Sequence, residues 1–446
     1  MRREVVFTIA DIPDFKNRLL QWATQFRELS WLDSNQHQDR FGNFEGLLAV
    51  DAQSELRTGV TDAFKKLQAY QKSNPDWLFG YLSYDLKNDV EALNSHNHDG
   101  LGFPELHFFC PKKVVAIKGD QAWFYYTHAV QNDIEADFNS IRRQRTDFPM
   151  KPTVSKDIRI KMRIFKDEYH RRAKQLLRHI HRGDLYEANF CQEFYAENTR
   201  IDPLRTYLKL NSISKAPFSC FLRLNERYLL CASPERYLKK HGQTVISQPI
   251  KGTAKRAKDV ARDNALKKAL EQDEKERAEN IMIVDLVRND LSKTALLGSV
   301  TVEALCEVTS FEQVHQMIST VSAKVHDDQD PVTLLKNTFP MGSMTGAPKV
   351  SAMQIIEALE SFKRGVYSGA VGYFTPSGDF DFNVVIRSIL YNDTNRYVSF
   401  SVGSAITAKA IPEKEYEECL LKAKAMRQVL EDTPLKTVRS DASLNN

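Results

Sequence analysis

In this 446-residue chain three groups of residues could do chemistry. Lys251 follows an apolar run and sits in Pro249-Ile250-Lys251-Gly252-Thr253. A lysine is ordinarily a solvated surface cation, but one held at the end of a sheet can be a nucleophile. Only the neutral amine attacks, so that role needs burial or nearby positive charge to lower a pKa of about 10.4. The second group is a pair of acidic sets, Glu276/Glu279 and Glu415/Glu418, with Lys422 beyond the latter. Positions i, i+3 and i+7 share one helix face, so two helices could each turn two carboxylates toward a common cleft. With waters, that set would suit octahedral Mg²⁺. The alternative is two solvated faces with weak Glu–Lys pairs. If the sets do face each other closely, repulsion between desolvated carboxylates calls for a cation between them. The third group is Ser233-Pro234-Glu235, where proline fixes a turn and a carboxyl points from it, either a loop charge or a general acid.

These residues need strands and helices to hold them. The runs YEANFCQEFYA, SCFLRLNERYLLCAS and ERYLKKHGQTVISQ read as strands leading up to Lys251. Before them, IFKDEYHRRAKQLLRHIHRGD predicts a helix ended by Gly183, with Tyr169, Ala173, Leu176, Leu177 and Ile180 as its apolar stripe. Residues 1–150 read as mixed α/β: a strand at VVFTIAD, a helix over FKNRLLQWATQF, then strands in FEGLLAVDA, WLFGYLSYDL and KVVAIKGDQAWFYYTHAV. The basic stretch 151–163 interrupts the pattern. The expected organisation is an N-terminal subdomain over 1–150, a catalytic domain over 151–432 and a polar tail over 433–446.

Composition narrows the function. Sixty-two Lys+Arg against 58 Asp+Glu leave a net charge of +4, which argues against a dedicated nucleic-acid binder. Apolar residues at 42% and charged residues at 27% are globular values and exclude disorder as the main theme. No apolar run approaches the roughly 18 residues of a membrane span, and the acidic start MRREVVFTIADIPDF does not read as a secretory signal. Six scattered cysteines without a CxxC fit free thiols in a reducing, cytoplasmic setting. In GSMTGAPK, Ala347 and Pro348 separate Gly346 from Lys349, so the phosphate-loop reading fails; GxSxG, GxGxxG and HExxH are absent.

In order along the chain, GDLYEANFCQEF, SPERYL, PIKGTAKR, AENIMIVDLVRND, FEQVHQMIST, TFPMGSMTGAPKVSAMQIIEALE, RGVYSGAVGYF, FNVVIRSI and VGSAITAKAIPEKEYEECLLKAKA resemble the chorismate-utilising enzymes. That family includes aminodeoxychorismate synthase component I, anthranilate synthase component I, and the isochorismate and salicylate synthases. The resemblance covers about residues 165–427 and implies an α+β fold, a large sandwich of antiparallel β-sheets wrapped by helices around an active-site cleft. It implies Glu279 and Glu418 as Mg²⁺ ligands, with Glu276 and Glu415 as outer acids reaching the ion through water. It implies Tyr367 and Arg387 as holders of the enolpyruvyl carboxylate, Gly403 in a glycine turn whose amides meet substrate, and Thr345 and Gly346 as pocket lining. Lys422 would lie near the metal-bound carboxylate, Thr253 beside the substrate, Glu235 would be the general acid that expels the 4-hydroxyl, and His315 would stand near the reacting ring. SWLDSN resembles the serine-containing tryptophan pocket of the amino-donating members and points to Ser34.

Lys251 separates the subfamilies. The resemblance implies that PIKGT marks aminodeoxychorismate synthases, whereas anthranilate synthases carry a small residue there. Replacing the 4-hydroxyl by nitrogen with retention requires two displacements, so an enzyme amine can add at C2 before ammonia enters at C4. An apolar cleft with Mg²⁺ nearby is expected to depress the lysine's pKa. The expected function is therefore conversion of chorismate and ammonia to 4-amino-4-deoxychorismate, in para-aminobenzoate and folate biosynthesis. Ammonia is expected from a separate glutamine amidotransferase, because no amidase nucleophile segment is present. Two positions depart from the family: Glu187 stands where amino-donating members commonly have Gln and water-adding members Lys, and the glycine turn reads VGSAIT.

Overall fold

The computed structural model describes residues 2–37, 39–145, 158–312 and 314–431. The interrupting stretch at 151–163 lies mostly, and the tail at 433–446 wholly, outside the described residues. Among the described residues twenty strands join edge to edge in one sheet, and every ladder among them is antiparallel. With helices packed on it, the architecture is α+β, as expected.

Alternation along the strands produces two cores. Leu47 and Ala49 turn to one side of their strand and Leu48 and Val50 to the other; Leu229 and Cys231 split from Leu230 and Ala232 in the same way. The second core is closed by the helices Ile12–Ala23, Lys166–Arg182, Pro203–Ser214 and Pro412–Glu431. Strands from 1–150 are hydrogen-bonded to strands from the rest of the chain: Glu28–Asp33 lies on Phe218–Leu224, and Leu78–Leu82 on Ala370–Phe374.

Local chemistry sets the element ends. Helix Lys166–Arg182 buries Tyr169, Ala173, Leu176 and Ile180, while Leu177 sits at the edge of the stripe. Gly183 closes it in the left-handed region at φ 91°, its N–H bonded to the Ile180 carbonyl. Helix Glu274–Ser292 starts where the Asp273 carboxylate accepts the Glu276 N–H at 3.0 Å. This cap fixes the first turn, which carries Lys275 and Glu276 toward helix Pro412–Glu431.

Candidate active site

Lys251 lies on strand Ile250–Lys255, whose pairing to strand Val314–Lys324 shifts register between Ile250 and Thr253. Such a bulge re-aims the side chain within it. Gly252, at φ 89°, makes the bulge possible, and a Cβ there would lie 3.2 Å from the Glu276 side chain. The Lys251 ammonium donates to Glu187 Oε1 at 2.9 Å. Burial alone would lower its pKa, but the carboxylates of Glu187, Glu279 and Glu235 outweigh that and hold it well above the ordinary lysine range. The expected depression is thus reversed: the amine rests as a paired ammonium because three acids, rather than other cations, face it. Glu235 is buried beside an apolar lining of Val287, Leu291 and Met341. Burial pushes its carboxyl up to about 7, against the opposing effects of Ser343 and Lys251, so it stays protonated toward neutral pH.

The two acidic helices do face one another, and the cation between them is Lys275. Its Nζ lies 3.8 Å from Glu279 Oε1 and 3.5 Å from Glu415 Oε1. A bridging charge was expected there, but one from the protein was not. Lys275 and Glu279 are spaced i,i+4, which sequence reasoning takes for a surface pair. Glu415 also accepts the Ser404 hydroxyl, which gives the unusual VGSAIT turn a role. Lys422 reaches Glu418 Oε1 at 2.5 Å and the Gly403 carbonyl at 2.9 Å. Burial pushes Glu279 up to about 7, and burial with the neighbouring Glu418 raises Glu276. Glu279 Oε1 is buried without a hydrogen-bond partner among the described residues. An all-carboxylate set with an orphaned oxygen and mutually repelling charges fits a hard divalent cation. Among the described residues no three His, Cys, Asp or Glu side chains converge tightly enough to ligate an ion as they stand.

Across the cleft, Arg387 takes a left-handed backbone at φ 52°. Among the described residues its guanidinium makes no hydrogen bond or ion pair. Burial depresses its pKa, offset by Tyr367 and Glu418. A half-buried arginine without a carboxylate is suited to receive one from a ligand. Tyr367 is buried, its hydroxyl 3.8 Å from Cys191 Sγ. A Cβ on Gly403 would come within 2.6 Å of Cys191 Sγ, and one on Gly346 within 2.1 Å of the Glu187 carbonyl, so both glycines permit close packing on strand Glu187–Ala196. The Thr345 hydroxyl turns back onto the Met341 and Gly342 carbonyls, both at 3.2 Å, which commits it to its own turn. A clamp that sequence reasoning missed braces this wall: buried Arg364 pairs with Glu360 and donates to the Asn189 and Met344 carbonyls.

His315 belongs to a different cluster. One ring nitrogen is 3.1 Å from Asp263 and the other 2.9 Å from Ser310, so neither is free for a substrate in this arrangement. Thr253 is exposed on its strand. Ser34 lines a cavity of about 1020 Å³ together with Asp39, Phe44, Phe218, Arg236 and Tyr373, and Lys251 is not among the lining residues. The cleft thus gathers a lysine ammonium, a buried carboxyl whose pKa is raised, a guanidinium unpaired among the described residues and a carboxylate cluster. That set can bind a dicarboxylate and exchange a ring hydroxyl.

Residues 27–428 match the family described as chorismate binding enzyme. A probable chloroplastic aminodeoxychorismate synthase of Oryza sativa subsp. japonica is 41% identical over 281 residues, 62% of this chain and 31% of that protein. An anthranilate synthase component 1 of Acetivibrio thermocellus is 32% identical over 372 residues, 79% of this chain and 74% of that one. The crystal structure of anthranilate synthase component I from Streptococcus pneumoniae TIGR4 is similar with a TM-score of 0.74 and 26% identity, covering 88% of this chain and 94% of that one. The chain spans about a third of the rice protein and half of a Streptomyces griseus aminodeoxychorismate synthase.

Proposed function

This chain belongs to the chorismate-binding enzymes, and from that membership we propose that it makes 4-amino-4-deoxychorismate from chorismate and ammonia through a covalent adduct on Lys251. The observation that carries the reading is the lysine amine facing Glu235 and Glu418, with Arg387, unpaired among the described residues, on the other side of Glu418. Arg387 would hold the enolpyruvyl carboxylate, with Tyr367 beside it. The amine adds at C2, the two ring π-pairs shift round through C1, C6 and C5, and the 4-hydroxyl leaves as water with the Glu235 proton. Ammonia then enters at C4 and the lysine is expelled. Mg²⁺, held by Glu279 and Glu418 with Glu276 and Glu415 behind them, would neutralise these acids and fix the ring carboxylate. Ammonia would come from a glutamine amidotransferase partner, as the component 1 designation of the relatives suggests. Tryptophan in the Ser34 cavity is the corresponding proposal for the N-terminal region.

A second reading, anthranilate synthase component I, is favoured by the similarity to enzymes of that name. One incubation separates them: the pure protein with chorismate, Mg²⁺ and an ammonium salt. Aminodeoxychorismate as product, lost in Lys251→Ala, supports the first reading. Anthranilate from the native protein overturns it.

A further inference from the structure

We propose that Glu187 is the positioning residue for Lys251, holding its ε-amine in the cleft and taking its proton before the amine attacks; this rests on the lysine-adduct reading above. Glu187 is 1% exposed. Its backbone is locked on both sides, paired to Thr407 on one strand and to Ala347 on the other. Lys251 sits on a bulge, so Glu187 is the fixed end of the 2.9 Å bond and sets where the amine points. In a buried pair that bond is weakly screened and directional.

The same contact solves a proton problem. Three carboxylates face Lys251: Glu187 from strand Glu187–Ala196, Glu279 from helix Glu274–Ser292 and Glu235 from its turn. Together they keep it an ammonium, which has no lone pair to donate. Among the described residues only Glu187 is in hydrogen-bond contact with Nζ. Glu235 has to keep its own proton for the departing hydroxyl. Glu187 Oε2 is buried and has no hydrogen-bond partner among the described residues, so the carboxylate can take a proton without breaking another of those hydrogen bonds. A glutamine at this position could accept the bond but not the proton.

The steps balance. Lys251 –NH₃⁺ passes one proton to Glu187, leaving –NH₂ and a neutral carboxyl. The amine lone pair forms the N–C2 bond, the C1=C2 π-pair moves to C1=C6, the C5=C6 π-pair moves to C4=C5, and the C4–O bond breaks as the oxygen takes the Glu235 proton. Ammonia attacks C4, the two π-pairs return to C5=C6 and C1=C2, and the C2–N bond breaks with its electrons on nitrogen. The released amine regains its proton from Glu187, and the new C4 ammonium returns one to Glu235.

The test follows adduct formation alone. Native protein, Glu187→Gln, Glu187→Asp and Lys251→Ala are mixed with chorismate and Mg²⁺ without ammonia, quenched, and weighed intact between about pH 6.5 and 9.5. The native rate should fall above about pH 7, where Glu235 loses the proton it must give. Glu187→Gln should slow adduct formation on the order of 100-fold near pH 7, and its deficit against the native protein should shrink about tenfold per pH unit, with the chorismate concentration for half-maximal rate little changed. Glu187→Asp, which keeps the base, should be slower than native with the native pH profile. Because Gln is isosteric with Glu, a folded Glu187→Gln protein with native rate and native profile overturns the role of Glu187 and leaves the adduct standing. No adduct in the native protein, with Lys251→Ala still making the native product, overturns the covalent reading itself and this inference with it.

Discussion

Burial beside Val287, Leu291 and Met341 lets Glu235 keep its proton to about pH 7, and both activity and stability should register it. As a general acid it must be protonated, so kcat/KM should fall as pH rises through about 7. For stability, the folded value is raised above the ordinary 4.5, so the unfolded chain releases this proton first and stability is lost as pH climbs from about 4.5 to about 7. Glu235→Gln should therefore abolish turnover, leave stability unchanged below about pH 4.5, and become more stable than native by up to roughly 3 kcal/mol above about pH 7. Denaturant melts at two pH values check this; an equal gain at acid pH would contradict it. Arg387 allows a complementary test. Since it makes no ion pair among the described residues and feels only the longer-range charge of Glu418, Arg387→Gln should keep or slightly raise the melting temperature while raising KM for chorismate on the order of 100-fold. A drop in stability with unchanged KM would mean that the guanidinium serves packing.

At the scale of elements, helices Glu274–Ser292 and Pro412–Glu431 bring their acids together and Lys275 keeps them compatible. Chelation should abolish turnover and Mg²⁺ restore it, with Glu279→Gln and Glu418→Gln inactive and the exposed Glu413→Gln near native. Lys275→Met leaves the carboxylates without their bridging ammonium. Its melting temperature in EDTA should fall by about 2 °C and recover when Mg²⁺ is added. If Mg²⁺ does nothing to the melting of either protein, the four acids are not a metal site. The pairing of Glu187 to Ala347 and Thr407 belongs to this scale too: it turns a departure from the family pattern into a fixed partner for Lys251.

At the scale of the molecule, the strands of 1–150 are woven into the sheet that carries the cleft, and the 1020 Å³ cavity at Ser34 has walls from both regions, Phe44 from one and Phe218, Arg236 and Tyr373 from the other. The chain alone should use ammonium salts, better as pH rises and free NH₃ increases until Glu235 deprotonates, and should not use glutamine. Efficient use of glutamine by the pure chain would overturn the separate-partner reading. Much of this molecule was legible in order and spacing. The helix ended by Gly183, the strand runs, the lysine of PIKGT and the i,i+3 acids are written locally, because periodicity, caps and turn residues act over a few positions. Their mutual arrangement was not. Lys251 meets Glu187 across 64 positions, and Lys275 meets Glu415 across a still longer stretch. The protonation of that lysine therefore had the opposite sign from the one its sequence suggested. His315 turned to Asp263 and Ser310, and Arg387 was left without a hydrogen bond or ion pair among the described residues, for the same reason. The sequence determined which groups the protein has and which element carries each. Only the tertiary structure decided which charges face one another, because burial and Coulomb interaction depend on distance through space rather than along the chain.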